Sequence, residues 1–324
     1  ADFPWVNRYR KAKEQYQKLI PSIRKDNILK RRTPERLIAG LIAASILAKC
    51  GCELRGVPGF FRIDGVWCFN LEPGMLIPTR NAVGQIVALQ VRRDKPSDWN
   101  DYCKRTGQNK EFLRYMTISA KGLPDGVTTD ISQAHFPLGN DSLDDPETAV
   151  CITEGPLKAD AAVELKGNRK MFFIALHGTS NTKTLPAIFA WLKGKGVETV
   201  FNVFDMDKVT NVNVAKAGKR VRAIAAGYGI KLAEKCWDAE YAQQKLSELN
   251  AVCCEHGIFV PTTFNVFTDL ANVSQELAKR NIRHSRVKNA DGLEEKHYWS
   301  DKTKGIDDYL LSIRTATGGE GASA

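Results

Sequence analysis

The sequence predicts an α/β protein, α+β overall, in which a helical and β-rich first half precedes a parallel sheet with flanking helices. The composition, 43% hydrophobic and 26% charged among 324 residues, is typical of a globular protein of about two domains. Short β-like segments dominate residues 56–147, whereas β-like and helical segments alternate from residue 148 onward. That alternation is the pattern of a parallel α/β sheet.

Charge also differs between the two halves. Residues 1–122 carry 23 Lys and Arg side chains against 11 Asp and Glu, a net charge of +12, whereas residues 123–324 carry −2. This imbalance favours a polyanionic partner for the first half, such as a nucleic acid. The alternative is that the surface cations only keep the protein soluble.

The sequence shows no membrane or secretory segment. The longest apolar run, residues 37–48, has 12 residues and lies between Arg36 and Lys49, whereas a bilayer needs about 20. The eight cysteines include no Cys-x-x-Cys pair, and this spacing argues against a structural zinc ion. We therefore expect a cytoplasmic protein with reduced thiols and no membrane partner.

Residues 1–55 predict a basic helical arm that ends in a core helix. The first 36 residues carry 11 basic side chains interleaved with apolar and aromatic ones, which favours a cationic helix with a narrow apolar stripe. Thr33, Pro34 and Glu35 then match an N-cap, a proline at the first helical position and a first-turn acid. The apolar run that follows them is expected to be a buried helix.

Residues 56–147 predict a small basic α+β subdomain. Asp64-Gly65 and Val83-Gly84 are typical hairpin turns. Residues 94–109 predict a loop and residues 113–118 a further strand. The other β-like runs are residues 60–63, 66–69, 75–78 and 85–91.

Residues 148–235 predict the parallel sheet. Ligands of such sheets bind beside the carboxyl ends of the strands, so the residues that follow each strand are the candidates for a site. The strands are expected near residues 150–153, 172–176, 200–204 and 230–233, and the residues that follow the first three are Glu154, His177, Gly178, Thr179, Asp205, Met206 and Asp207.

The remaining residues fit the alternation poorly. Residues 236–300 are interpreted as an inserted subdomain of unknown role, with helices near residues 239–250 and 270–279. Residues 315–324 are Gly, Ala, Ser and Thr with one Glu and predict a flexible linker, because such a segment buries too little apolar surface to become ordered. We accordingly expect the chain to be a fragment of something longer.

Three carboxylates at the ends of neighbouring strands favour a divalent-cation site. Glu154 follows one strand, and Asp205 and Asp207 follow another. Mg²⁺ takes one or two carboxylates together with substrate phosphates, and two ions about 4 Å apart can hold the attacking and leaving oxygens of a phosphoryl transfer. The alternative for any one of these acids is a helix N-cap.

These segments resemble the TOPRIM domain shared by bacterial-type primases, topoisomerases and some nucleases. The resemblance rests on Ile152-Thr153-Glu154-Gly155, Gly178-Thr179 and Asp205-Met206-Asp207. Residues 301–314 contain Lys304-Gly305-Ile306-Asp307-Asp308-Tyr309, which is similar to the closing motif of primase-like TOPRIM proteins from phages, plasmids and other mobile elements.

The basic half resembles the corresponding half of the bacterial primase catalytic core, and this separates a primase from a topoisomerase. The stretch that opens this half in bacterial primases is matched in this chain by Met75-Leu76-Ile77-Pro78-Thr79-Arg80-Asn81 with Gly84, Ile86, Val87 and Arg92, to which it is similar. The segment that joins it to the sheet is similar to Arg114-Tyr115-Met116 and Phe136-Pro137-Leu138-Gly139.

The resemblance implies a primase-type, DNA-directed nucleotidyltransferase that makes short primers on single-stranded DNA. It implies nucleoside triphosphates as substrates, Mg²⁺ or Mn²⁺ as cofactor, and a replicative helicase, fused or separate, as a candidate partner. The candidate catalytic and metal-binding residues are Glu154, Asp205 and Asp207, with Asp307 and Asp308 as further metal ligands. Asp307 and Asp308 have the alternative role of capping the helix that begins near Tyr309.

Several residues are candidates for contacts with nucleotide or template. Guanidinium groups match phosphate oxygens, and aromatic rings stack on unpaired bases. For each of them, surface, salt-bridge or packing roles are the alternative. The candidates are Arg80, Arg92, Arg93, Arg114, Tyr115, His177 and Lys208, with Trp99 and Tyr102 as further stacking residues.

Two features depart from the family pattern. Lys158 stands four residues after Glu154, where many primases carry another acid, so one metal ligand is absent or is replaced by Asp160, Asp307 or Asp308. Bacterial primases also begin with a zinc-ribbon module, and the cysteine spacing of this chain does not match one.

Three other functions stay open on the sequence alone. A TOPRIM nuclease would use the same acids to cleave, and a topoisomerase would need a nucleophilic tyrosine, for which Tyr309 is the nearby candidate. The third is a non-catalytic DNA-binding module of a replication initiator. Asp205→Asn separates the enzymes from the binding module, because it should abolish synthesis or cleavage in an enzyme, whereas in a binding module only changes to Arg and Lys in residues 1–122 should matter.

Overall fold

The computed structural model describes residues 4–70, 72–94, 103, 107, 112–129, 133–282, 286–288, 294–296, 299–300 and 302–316. The predicted loop at 94–109, with Trp99 and Tyr102, lies mainly outside the described residues, and so does the predicted tail at 315–324, whose first two residues end the last helix. The chain divides into two compact units, Ala1–Thr79 with Ile86–Ile131 and Arg80–Gln85 with Ser132–Ala324. The division therefore falls near residue 131 rather than at residue 147, where the sequence pattern changes.

The first unit begins with two helices that pack on each other. Helix α1 (Pro4–Lys25) buries Ala12, Leu19 and Ile23, and this stripe joins one hydrophobic cluster with helix α2 (Pro34–Lys49). The predicted cationic helix with an apolar stripe is thus present, but it is part of the core of the unit and not a separate arm. Burial of the stripe explains the difference, since removing apolar area from water stabilises a packed helix.

Helix α2 has the predicted start and the predicted burial. The Thr33 side chain accepts a hydrogen bond from Arg36 N–H at 3.5 Å, and Pro34 stands at the start of the helix. The apolar residues of the helix pack inward, with Leu37 and Leu41 at 2% exposure.

Both predicted hairpins are confirmed. Strands β1 (Phe60–Ile63) and β2 (Val66–Phe69) pair antiparallel around Asp64 and Gly65, whose φ values of 48° and 78° give the left-handed turn that suits a hairpin. Strands β3 (Gly74–Arg80), β4 (Ile86–Arg93) and β5 (Tyr115–Thr117) form a second sheet in that order. The turn between β3 and β4 closes with a 3.0 Å bond from Asn81 N–H to Gln85 O.

The second unit contains the predicted parallel sheet. Strands β6 (Ala149–Glu154), β7 (Met171–Leu176), β8 (Thr199–Asn202) and β9 (Lys231–Glu234) pair in parallel in the order β7-β6-β8-β9. Helices separate the strands along the chain, as parallel pairing requires. They are α3 (Pro156–Leu165), α4 (Leu185–Gly194) and α5 (Val212–Gly227).

Helices cover both faces of this sheet, so its strands are buried on both sides. Alternate strand residues pack into two hydrophobic clusters: Cys151 and Phe173 point to the side of α3, whereas Ile152 and Ile174 point to the side of α4 and α5. This explains why β6 and β7 are nearly continuous apolar runs in the sequence, whereas the edge strand β9 begins and ends with the exposed Lys231 and Glu234.

The segment interpreted as an insertion belongs to the same core. Helices α6 (Ala239–Glu255) and α7 (Val266–Lys279) share the cluster of α3 and of the last helix, α8 (Ile306–Ala316). Two short strands, β10 (Arg286–Lys288) and β11 (Glu294–Lys296), pair antiparallel between α7 and α8. Within the described residues, no helix is long and apolar enough to cross a membrane.

Candidate functional site

The predicted acids lie at the carboxyl edge of the parallel sheet. Ile152 on β6 pairs with Asn202 on β8, and Val203 N–H continues the pairing with a 2.9 Å bond to Ile152 O. Glu154 therefore ends β6 beside the segment that leads to Asp205. The structure brings Glu154 and Asp205 together, as the strand pattern predicts.

A glycine turn places a lysine beside these acids. Gly155 has a φ of 82° and precedes Pro156, the first residue of α3. The left-handed conformation favours glycine because it has no side chain, and it directs the chain from β6 into α3. Lys158 on the first turn of α3 consequently lies beside Glu154, with Nζ 3.7 Å from Glu154 Oε1.

The turn after β8 is tied to the segment before α8. Asp205 precedes a short 3₁₀ helix, Met206–Val209, and Met206 N–H donates a 2.8 Å hydrogen bond to Lys304 O. The Lys304 side chain returns to the same turn. Its Nζ lies 3.8 Å from Asp205 Oδ2 and 3.6 Å from Asp207 Oδ2.

Two lysines thus share three buried or half-buried carboxylates. Lys158 forms an ion pair with Asp205 Oδ1 as well as lying near Glu154, and Lys304 bridges Asp205 and Asp207. The Asp205 and Asp207 side chains are only 4% and 7% exposed. A buried carboxylate needs such partners, because burial without them is costly.

Burial and mutual repulsion change the ionisation of the site. Burial, followed by the charge of Asp205, raises the pKa of Glu154 to about 8. Burial also raises the pKa of Asp207, against the opposing effect of Lys304. Burial lowers the pKa of Lys158, but Asp205 and Glu154 outweigh it and the pKa is raised overall. Such shifts are typical of functional sites.

The two acids of the closing segment have different surroundings. Asp308 Oδ2 accepts a 2.9 Å hydrogen bond from Gly305 N–H, as the acid at the third helical position of a capping box does. Asp307 interacts electrostatically with Lys158, and burial, followed by Asp308, raises its pKa. Of the two, Asp307 is the one that faces the acid cluster.

The donor set fits a hard divalent cation on the side of Asp207. Asp207 Oδ1 and Asp307 Oδ1 are buried and accept no hydrogen bond from any of the described residues, and carboxylate oxygens are the ligands that Mg²⁺ and Mn²⁺ prefer. Within the same residues, no three His, Cys, Asp or Glu side chains converge as a ready-made metal site. On the side of Glu154, Lys158 supplies the positive charge.

His177 and Lys208, both predicted to contact phosphate, are placed differently. His177 follows β7 at the same sheet edge, and burial, followed by His135, lowers the pKa of its imidazole to about 4. It is therefore neutral at pH 7. Lys208 directs its ammonium group to Asn202 O at 2.8 Å and Lys235 O at 2.7 Å, where it joins the ends of β8 and β9.

A buried histidine links Arg80 to helix α3. Arg80 N–H donates to His135 Nδ1 at 3.1 Å, so Nδ1 is an acceptor and Nε2, which lies 2.9 Å from Asp160 Oδ1, is the donor of the ring. His135 also pairs with Ala175 of β7. Asp160 is therefore the partner of His135, and within the described residues it forms no ion pair with Lys158 or Lys304.

In the first unit, Arg92 and Tyr115 form an exposed pair. They are direct partners across β4 and β5 and point to the same face of the sheet. Tyr115 is 51% exposed, and Arg92 and the adjacent Arg114 are exposed as well. A cation beside an open aromatic ring suits both a phosphate and an unpaired base.

Arg93 has a packing role. Its side chain is 4% exposed and pairs with Glu72 at 3.1 Å, and it lies over the ring of Phe112. Strand alternation places it on the opposite face from Arg92. Arg93 is thereby directed into the unit rather than toward solvent.

Sequence reasoning missed Lys304 and His135 as site residues. Lys304 stands directly before Gly305 within the segment that resembles the closing motif, and this position could have marked it as a site residue. His135 had no such signal, because its contacts with Arg80 and Asp160 join residues that are 55 and 25 positions away. Tyr309, the candidate nucleophile of a topoisomerase, stacks on Trp237 with ring centroids 5.5 Å apart.

Comparisons with known proteins yield a single structural likeness to report. No family model matches the sequence, and no curated protein matches it. The structure is similar to the zinc-binding and RNA polymerase domains of the Aquifex aeolicus primase, with a TM-score of 0.40 and 12% sequence identity. The match covers 87% of this chain and 62% of the primase chain, so this chain spans less than two thirds of that protein.

Proposed function

We propose that the protein is a primase-type nucleotidyltransferase that makes short primers on single-stranded DNA, and that the second unit is a TOPRIM domain. The observation that carries the proposal is the group of Glu154, Asp205 and Asp207, buried at the carboxyl edge of a parallel sheet and held by two lysines. Acids at this edge are positioned for chemistry on a ligand that binds beside the strand ends.

Asp205 and Asp207 would hold a Mg²⁺ or Mn²⁺ ion, with Asp307 as the next candidate ligand. A bound ion of this type neutralises phosphate charge and orients the reacting oxygens. The unsatisfied oxygens of Asp207 and Asp307 support this assignment. Asp308, as the cap of α8, supports the ligands indirectly by fixing the start of that helix.

Glu154 is the group in this proposal that handles a proton. Its raised pKa, about 8, lies near physiological pH, and a group with such a pKa exchanges a proton readily with a reacting hydroxyl. Lys158 and Lys304 hold the carboxylates in place and add positive charge where triphosphate oxygens would bind.

The first unit supplies the template-binding surface in this proposal. Its segment carries the excess of basic residues, and the exposed face of its second sheet presents Arg92 and Tyr115 side by side. Arg114 adds a further exposed cation. Cations bind the phosphate backbone and aromatic rings stack on bases without reading the sequence.

A primer-synthesis reaction tests the proposal. The protein is incubated with a mixed-sequence single-stranded template, labelled nucleoside triphosphates and Mn²⁺ or Mg²⁺, beside Asp205→Asn and the control Glu164→Gln on the exposed face of α3. We expect short labelled products from the native protein and from Glu164→Gln, and none from Asp205→Asn. An intact, bound template without products would contradict the proposal and favour a non-catalytic binding module.

A nuclease is the second candidate function, because the same acids suit cleavage of a phosphodiester. The same reaction separates the two, since a nuclease shortens the template and leaves the labelled triphosphates unincorporated. We also propose a replicative helicase as a partner, and its co-purification with this protein from cells tests that proposal.

A further inference from the structure

Lys158 occupies the position between two of the three acids. Its ammonium group forms an ion pair with Asp205 Oδ1 and lies 3.7 Å from Glu154 Oε1. A divalent ion that bound both of these carboxylates would lie in the same small volume. The ammonium group and such an ion exclude each other, by size and by charge repulsion.

The backbone fixes Lys158 in this position. Gly155 and Pro156 set the start of α3, and Lys158 follows on its first turn, four residues after Glu154. Helical residues four positions apart lie on the same face. The lysine is therefore held by the same turn that positions Glu154, and its ion pair with Asp205 joins α3 to the turn after β8.

Lys304 is held less closely by the acids. Its Nζ lies 3.8 Å from Asp205 and 3.6 Å from Asp207, beyond hydrogen-bond distance. Asp207 also has the buried oxygen that accepts no hydrogen bond from any of the described residues. An incoming cation therefore meets weaker competition beside Asp207 than beside Asp205 Oδ1, with which Lys158 forms its ion pair.

We propose that Lys158 is a built-in cation that replaces one of two divalent ions, so that the site binds a single ion beside Asp205 and Asp207. This inference rests on the proposed function, because it concerns how the same acids are neutralised.

The number of Mn²⁺ ions per chain tests the inference. Titration of the full chain, with free Mn²⁺ followed by electron paramagnetic resonance, is expected to count one ion on the native protein and two on Lys158→Glu. The substitution removes the cation and adds a carboxylate, so a second site opens. The matched control is Lys193→Glu, which makes the same charge change at an exposed lysine in the last turn of α4 and should keep the count at one.

A second variant guards against misfolding of the first. Lys158→Gln removes the charge without adding a carboxylate, and we expect the first Mn²⁺ ion to bind about tenfold more tightly, since a nearby ammonium group no longer repels it. Two ions on the native protein, or one ion on both the native protein and Lys158→Glu, would overturn the inference, as would unchanged affinity in Lys158→Gln. If ion counts change as expected but no primers form, only the proposed reaction fails.

Discussion

Two lysine side chains neutralise part of the negative charge of the acids in the candidate site. Lys158 and Lys304 reach the acids from two segments that are 146 positions apart in the sequence. The strand pattern placed the acids because residues after parallel strands share one edge of the sheet. The identity of their partners depends on side-chain contacts across the fold, which no local pattern contains.

The raised pKa of Glu154 predicts a pH dependence of stability. The folded protein keeps the proton of Glu154 up to about pH 8, whereas the unfolded chain loses it near pH 4.5. The folded state therefore binds more protons between these values, and the contribution of Glu154 to stability falls as the pH rises through this window. We expect the free energy of unfolding of Glu154→Gln, relative to the native protein, to increase from pH 5 to pH 8.

Urea denaturation in buffers with a chelator measures this difference at several pH values. Glu164→Gln, on the exposed face of the same helix, is the control and should show a constant difference from the native protein. A pH-independent difference for Glu154→Gln would show that its carboxyl group ionises normally in the folded protein.

Elements follow the sequence pattern where they are buried on both faces, and depart from it where packing partners are distant. Strands β6 and β7 are mostly apolar, β8 and β9 have polar residues at both ends, and the alternation of these segments with helices predicts the parallel sheet that the structure contains. The stripe of Ala12, Leu19 and Ile23 predicts a helix but not the surface that it covers. Likewise, α6 and α7 have amphipathic patterns that do not reveal that they share the core of the sheet.

Close packing of α2 on β2 leads to a prediction about one glycine. A side chain at Gly40 would collide with the carbonyl oxygen of Phe69 and lie 2.8 Å from Cys68 Sγ. Alanine favours a helix over glycine, but here overpacking dominates, and Gly40→Ala should destabilise the first unit by about 1–3 kcal/mol.

Gly194, in helix α4, is the matched control, because nothing lies within 4 Å of the position that its added side chain would occupy. Gly194→Ala should be neutral or should stabilise the protein by about 0.5–1 kcal/mol. Thermal unfolding of both variants makes the comparison. Equal effects at the two positions would contradict the close contact between α2 and β2.

At the scale of the whole molecule, basic charge and buried acids belong to different parts of the chain. The first 122 residues carry +12, and the acids of the candidate site lie after residue 150. Composition alone therefore predicts that the first part binds a polyanion, and the exposed Arg92 and Tyr115 are the side chains that would serve such a role. Arg93 shows the limit of composition, because a buried arginine adds to the charge count without reaching a ligand.

This separation predicts a strong salt dependence of single-stranded DNA binding. The logarithm of affinity should fall linearly with the logarithm of salt concentration, with a slope of about −0.7 for each phosphate neutralised. Arg92→Gln should weaken binding and reduce the slope, whereas Arg220→Gln, an exposed cation of the second unit, should change neither. Fluorescence anisotropy of a labelled oligonucleotide measures both, and a flat salt dependence would contradict a phosphate-binding role for the first unit.

The most direct test measures template affinity and primer synthesis in the same reactions for the native protein, Asp205→Asn and Arg92→Gln. We predict that Asp205→Asn binds the labelled single strand within about twofold of the native affinity and makes no primers, because in the proposed site Asp205 would act on the reacting phosphates and not on the template backbone. Arg92→Gln should bind more weakly and still make primers when the template is in excess. Primer synthesis by Asp205→Asn, or its loss together with template binding, would contradict the assignment of the chemistry to the buried acids.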